Sequence, residues 1–166
     1  NLQRFRNFIN QRQGAALADY PALYQWSVEQ IEDFWAGLWD FCEIRASRRW
    51  DRVLQDGNRM PGARWFAGSR LNFAENLLRR RDAADALVFR GEDGISRRIS
   101  FAELYRVVAQ LAATLRQLGV QPGDRVVGFM PNLPQTVIAM LAATSIGAVW
   151  SSCSPDFGIQ GVLDRF

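Results

Sequence analysis

The stretch GAVWSSCSPDFG, residues 147–158, sets three serines, a cysteine and an aspartate directly behind an apolar run. Three kinds of chemistry use such side chains. Cys153 or a serine becomes a nucleophile when a base stands beside it. Serines cradle phosphate when glycines and a lysine accompany them. Otherwise Pro155 and Asp156 make a turn, and Asp156, ahead of Gly158 and Ile159, is placed to cap a following helix.

Composition removes most of these options. The chain has no histidine, and all 20 of its basic residues are arginine. No Ser-His or Cys-His pair, histidine general base or Schiff-base lysine can therefore be assembled from these residues. A Walker loop needs a Gly-Lys-Ser/Thr run that is absent. Two cysteines without histidine do not make a zinc site, and the sequence predicts no metal ligands. Cys153 is thus not read as a nucleophile, nor the serines as a phosphate loop. Cys42, on the apolar stripe of a predicted helix, reads as a small core hydrophobe.

The elements that must position residues 147–158 are legible by period and punctuation. Residues 86–90 and 95–100 read as two strands around the turn GEDG. Ser100 and Glu103 form a capping box for a helix whose face is Phe101, Leu104, Tyr105, Val108, Leu111, Ala112 and Leu115, stopped by Gly119. Residues 125–130 form an apolar strand. Pro134 opens a helix to about Ile146, Gly147 closes it, and residues 148–151 form the next strand. Strand, helix and strand in so short a span make a βαβ crossover, hence a parallel sheet and an α/β fold. The serine-rich stretch then leaves the C-terminal end of a parallel strand, where open α/β sheets bind ligands.

The first half is aromatic and helical. Residues 3–12 predict a short amphipathic helix ending before Gly14. Ser27 and Gln30 read as a capping box, with Trp26 and Ile31 as its hydrophobic staple, for a helix over 28–44. Residues 50–69 read as an ordered loop pinned by Trp50, Trp65 and Phe66, and 71–81 as another helix whose end carries Arg79, Arg80 and Arg81.

With 166 residues, 48% apolar and 12% aromatic, the chain is long enough for one folded domain with a real core, or for a domain plus an extension. The net charge of +3 lacks the aromatic–basic interleaving of a nucleic-acid module, so no nucleic-acid partner is expected. The uncharged run 126–155 is broken by Pro131, Pro134 and Gly147, which predicts a buried core element and no membrane span. Two isolated cysteines and no signal peptide predict reduced thiols and a cytoplasmic location. The predicted helix 136–146 has almost no polar face and needs cover on both sides, which predicts that the chain is the front piece of a longer protein.

The run SFAELYRVVAQLAATLRQLGVQPGDRVVGFMPNLPQTVIAMLAATSIGAVWSS, with WFAGSRLNFAENLLRR upstream, resembles the opening of the adenylate-forming acyl-CoA synthetase superfamily. Its closing residues, GAVWSSCSPDFGIQGVLDRF, are more similar to the acetoacetate-activating branch than to the acetate-activating one. The resemblance implies an N-terminal extension over 1–81 and a truncated start of the AMP-binding domain over 82–166. It implies a parent enzyme that uses ATP, CoA and Mg²⁺ to activate acetoacetate, partnered by the remainder of its own polypeptide. Other short acids, or a non-catalytic α/β interaction module, stand as alternatives. The family's phosphate loop, adenine-binding segment, acyl pocket and adenylation lysine are expected beyond Phe166, so no residue here is assigned a catalytic role. Matched from Gly147 onward, the Phe-Gly-Gly loop that lies near the CoA nucleotide in acetate-activating members falls on Ser154, Pro155 and Asp156, followed by Phe157. The first three depart from that pattern, and these four residues are the expected CoA-facing loop.

Overall fold

A computed structural model describes all residues from Asn1 to Phe166. The chain divides into two compact units, Asn1–Leu71 and Asn72–Phe166.

The first unit begins with α1 (Leu2–Gln13), ended by Gly14 in the left-handed conformation. Helix α2 (Tyr20–Glu29) follows, and then α3 (Ile31–Phe41). Phe5, Ile9, Leu17 and Leu23 form the core of these helices, joined by Trp26, Phe34, Leu38 and Phe41. Gly37 lies so close to Ile9 that a Cβ there would stand 2.4 Å from the isoleucine methyl.

Here the single helix expected over 28–44 gives way to two. The cap is Asp19, whose carboxylate accepts from the Ala22 N–H at 2.9 Å, with Pro21 in the first turn. Ser27 lies inside α2 and donates to the Tyr24 carbonyl, so it forms no capping box with Gln30. The chain breaks at Gln30 (φ −112°, ψ 58°), and α3 ends at Phe41. Cys42 is therefore the half-buried C-cap of α3 and not a core residue; the buried positions of α3 are Gly37 and Trp39.

The expected loop 50–69 contains a hairpin, β1 (Arg52–Gln55) paired antiparallel with β2 (Arg64–Ala67). Four residues per strand are too few for a period-2 pattern to stand out. The predicted aromatic pinning is present: Phe66 packs on Trp39 and Trp50 at centroid distances of 4.8 and 6.3 Å.

The second unit opens with α4 (Phe73–Leu77), half the length expected for 71–81. The Arg79–Arg81 run follows directly after its C-cap, Leu78. Arg80 pairs with Asp82 and lies over the Phe101 ring at 4.3 Å, while Arg81 lies over Tyr105 at 3.7 Å. The hairpin β3 (Asp85–Arg90) and β4 (Ser96–Ser100) turns at Gly91–Gly94.

Helix α5 (Phe101–Gln117) starts as expected, with Ser100 Oγ accepting from the Glu103 N–H at 3.1 Å. The Glu103 carboxylate pairs with Arg97 at 3.5 Å. Strand β5 (Arg125–Phe129), helix α6 (Pro134–Ser145) and strand β6 (Val149–Cys153) form the βαβ crossover, parallel in register from Arg125 opposite Val149 to Phe129 opposite Cys153. Helix α7 (Ile159–Arg165) ends the chain.

Helix α6 finds cover within this chain over part of its surface, with Val137, Ala139 and Met140 left half-buried. Ile138, Leu141, Ala142 and Ala143 are buried in a core shared with α4, α5 and the sheet residues Val126 and Trp150. Its first turn leaves only Gln135 exposed.

Candidate functional site

The parallel strands β5 and β6 end side by side, and both exit loops open on one cleft of the second unit. After β5 the chain runs Pro131–Asn132–Leu133 into α6, pinned where Thr136 donates its hydroxyl to the Pro131 carbonyl at 2.7 Å. After β6 comes Ser154–Pro155–Asp156–Phe157. Its backbone is a four-residue turn, the Phe157 N–H donating to the Ser154 carbonyl at 3.1 Å, with proline at the second position that turns favour. The Ser154 hydroxyl donates to the Asp156 carboxylate at 2.7 Å and closes the turn from the side-chain direction.

These loops and the end of the β3–β4 hairpin enclose a cleft of about 930 Å³. The hairpin contributes Arg90 and Arg97 together with Glu92 and Asp93. Asp93 is occupied, accepting from the Ile95 N–H at 3.0 Å, and Arg97 is held by Glu103. A smaller slot of about 300 Å³ adjoins the cleft between Leu87–Arg90 and Asn132–Pro134, with Val137 behind it.

Ser154, Pro155 and Asp156 line the cleft together. Phe157 does not line it: its ring lies 4.9 Å below the Arg165 guanidinium and against Gly161 of α7. Asp156 is a turn residue, since Gly158 holds the N-cap position of α7. Cys153 is buried at the end of β6, and its carbonyl accepts from the Met130 N–H at 3.1 Å.

The residues that sequence reasoning left out are Arg90, Asn132 and Gln135. Their signal was weak, for they are separated from residue 154 by up to 64 positions and meet it only through the fold. No three histidine, cysteine or acidic side chains converge as metal ligands. No helix is long and apolar enough to cross a membrane.

The family described as AMP-binding enzyme matches residues 73–164, and the one described as acetyl-coenzyme A synthetase N-terminus matches residues 20–77. An acetoacetyl-coenzyme A synthetase of Rhizobium meliloti is 48% identical over 99% of this chain and 25% of its own length. The solved acetoacetyl-CoA synthetase from Streptomyces lividans superposes with a TM-score of 0.88 at 46% identity, covering 98% of this chain and 26% of that one. A malonamoyl-CoA synthetase of Penicillium aethiopicum is 39% identical over 97% of this chain and 23% of its own length. The chain thus spans about a quarter of the length of the relatives it matches.

Proposed function

The chain belongs to the AMP-binding enzyme family, and from that premise we propose that its protein is an acid–thiol ligase that converts acetoacetate to acetoacetyl-CoA. The observation that carries this reading is identity of 46–48% with acetoacetyl-CoA synthetases across nearly every residue of the chain. In this reading the acetoacetate carboxylate attacks the α-phosphate of ATP and pyrophosphate leaves. The CoA thiolate then attacks the acyl carbon of the mixed anhydride and AMP leaves. Adenylation exchanges a poor leaving group for a good one, and oriented donors offset the charge that develops.

Residues 1–166 supply no catalytic group to either step. Their part is to build one wall of the thiol substrate's site, with Ser154, Pro155 and Asp156 facing CoA. Residues 1–166 alone release no pyrophosphate, because an adenylation lysine cannot come from a chain without lysine. Acetoacetate-dependent pyrophosphate release by that piece would overturn this. The protein works in the cytoplasm, a reading supported by the reduced, buried Cys153.

A second reading, a ligase for another short acid, is favoured by the identity of 39% to a protein named for malonamoyl-CoA. One assay separates the two. The full-length protein is given ATP, CoA and a panel of acetoacetate, acetate, propionate and malonamate, and AMP and thioester are measured. Acetoacetate is expected to give the highest kcat/KM. A different preferred acid selects the second reading, and no acid-dependent AMP from any of them overturns the enzyme reading in favour of a binding module.

A further inference from the structure

We propose that Arg90, with the apolar slot beside it, binds the adenosine-phosphate end of CoA, the guanidinium taking a phosphate and the slot taking the base. This rests on the reading that CoA is the thiol substrate of the cleft, and it adds a residue and a subsite to it.

Arg90 is the last residue of β3, paired with Ser96, and the next N–H, from Gly91, donates to the Ile95 carbonyl at 2.8 Å. Its backbone is therefore held by the hairpin on both sides of the side chain, which presents the guanidinium from a rigid element. The chain's ion pairs use Arg12, Arg48, Arg49, Arg80, Arg97 and Arg98. Arg90 is in none of them and donates no side-chain hydrogen bond, although its neighbour Arg97 is already committed to Glu103. It is the one cation of the cleft wall with its donors available.

Its position is the second observation. Arg90 lines both the 930 Å³ cleft and the 300 Å³ slot, so it sits where they meet. The slot is walled by Leu87 and Val88 on one side and by Leu133, Pro134 and Val137 on the other. An occupant that uses both features must carry a flat, weakly polar body and an anion a few ångströms from it. A nucleotide has this form, and arginine is the side chain whose planar fork matches phosphate oxygens. A short carboxylic acid has no body to fill the slot.

The carboxylates of the cleft do not compete for this site. Asp93 is tied to the Ile95 N–H and Asp156 to the Ser154 hydroxyl. Glu92, in the hairpin turn, makes no ion pair and opposes an incoming phosphate. Removing its charge is thus expected to help binding.

The test uses the full-length enzyme, with KM measured for CoA and for dephospho-CoA, which lacks the 3′-phosphate. Acetoacetate-dependent ATP–pyrophosphate exchange, which needs no CoA, is the internal control. Arg90→Ala is expected to raise KM for CoA about tenfold, the value of one charge-assisted contact. Its effect on exchange is expected to be smaller, and Arg90→Lys to recover part of the loss. Val88→Trp, which fills the slot from an exposed position, is expected to raise KM for CoA as well, and Glu92→Gln to lower it. If the contact is the 3′-phosphate, dephospho-CoA already shows the raised KM in the native enzyme and Arg90→Ala adds nothing. If it is the diphosphate, Arg90→Ala raises KM for both thiols alike. An unchanged KM for CoA in Arg90→Ala, with thioester still formed, overturns the assignment of Arg90 while leaving the function intact. A native enzyme that exchanges pyrophosphate but forms no thioester with CoA overturns the reading beneath it.

Discussion

Asn72 serves two helices with one side chain. Its carbonyl oxygen accepts from the Glu75 N–H at 3.0 Å and caps α4, while its amide donates to the Thr144 carbonyl at 2.8 Å at the C-terminal end of α6. Helix ends leave such groups unpaired unless a side chain reaches them. Asn72→Ala is therefore expected to cost about 1–2 kcal/mol in urea unfolding of residues 1–166. Asn72→Asp keeps the cap and loses the donor, so it is expected to fall between the two. Equal losses in both variants would show that the cap contributes nothing.

Asp82 makes the second prediction at this scale. The Arg80 side chain bonds to it, and the Ala84 N–H donates to it as well, so its pKa is lowered below the ordinary carboxylate value. The sign follows from proton uptake: in acid the unfolded chain binds this proton before the folded one does. Asp82 therefore stabilises the fold above its unfolded pKa and loses that contribution as pH falls through the lowered folded value. In a carboxyl titration followed by NMR, its midpoint is expected below that of an isolated aspartate and to move up in Arg80→Gln. A midpoint indifferent to Arg80 would refute the pairing.

Among the elements, β5 depends on one small residue. A Cβ at Gly128 would stand 2.7 and 2.9 Å from two carbons of the Trp150 ring, which lies across it from β6. An indole cannot yield as a flexible chain end can. Gly128→Ala is expected to destabilise the parallel pair by about 1–3 kcal/mol, with a shift in tryptophan fluorescence as the ring moves. A fully native spectrum and melting point would contradict this packing.

The βαβ crossover was legible in the sequence because each boundary carries its own signal. Ser100 caps, Gly119 and Gly147 adopt positive φ at helix ends, and Pro134 starts α6. The break between α2 and α3 was not legible, for Gln30 is neither glycine nor proline and Ser27 mimicked a cap while bonding backward into its own helix. The cap that operates, Asp19, stands eight residues earlier. At the cleft, Pro155 marked the turn, whereas Arg90 gave no local sign of lying opposite it. Local chemistry writes turns and caps into the sequence; tertiary packing decides which of them face each other.

At the scale of the whole chain, the parallel pair has one face on α6 and one face bare. Val127, Phe129 and Val149 are each about half exposed, at 50, 52 and 54%, whereas parallel strands are usually covered on both faces. Alternation along β5 explains the pattern, since Gly128 is buried between two residues that point outward. Ile159 and Leu163 of α7 are also exposed, which adds to the apolar surface of these 166 residues. Contiguous apolar surface of this kind binds hydrophobic dyes and promotes self-association. Residues 1–166 are therefore expected to bind such a dye, and the pair Val127→Thr with Phe129→Ser to reduce the signal. Because both side chains are half in water already, the melting point is expected to change far less than for Gly128→Ala. A chain that binds no dye and stays monomeric at high concentration would show that this face is covered by a packing other than the one described.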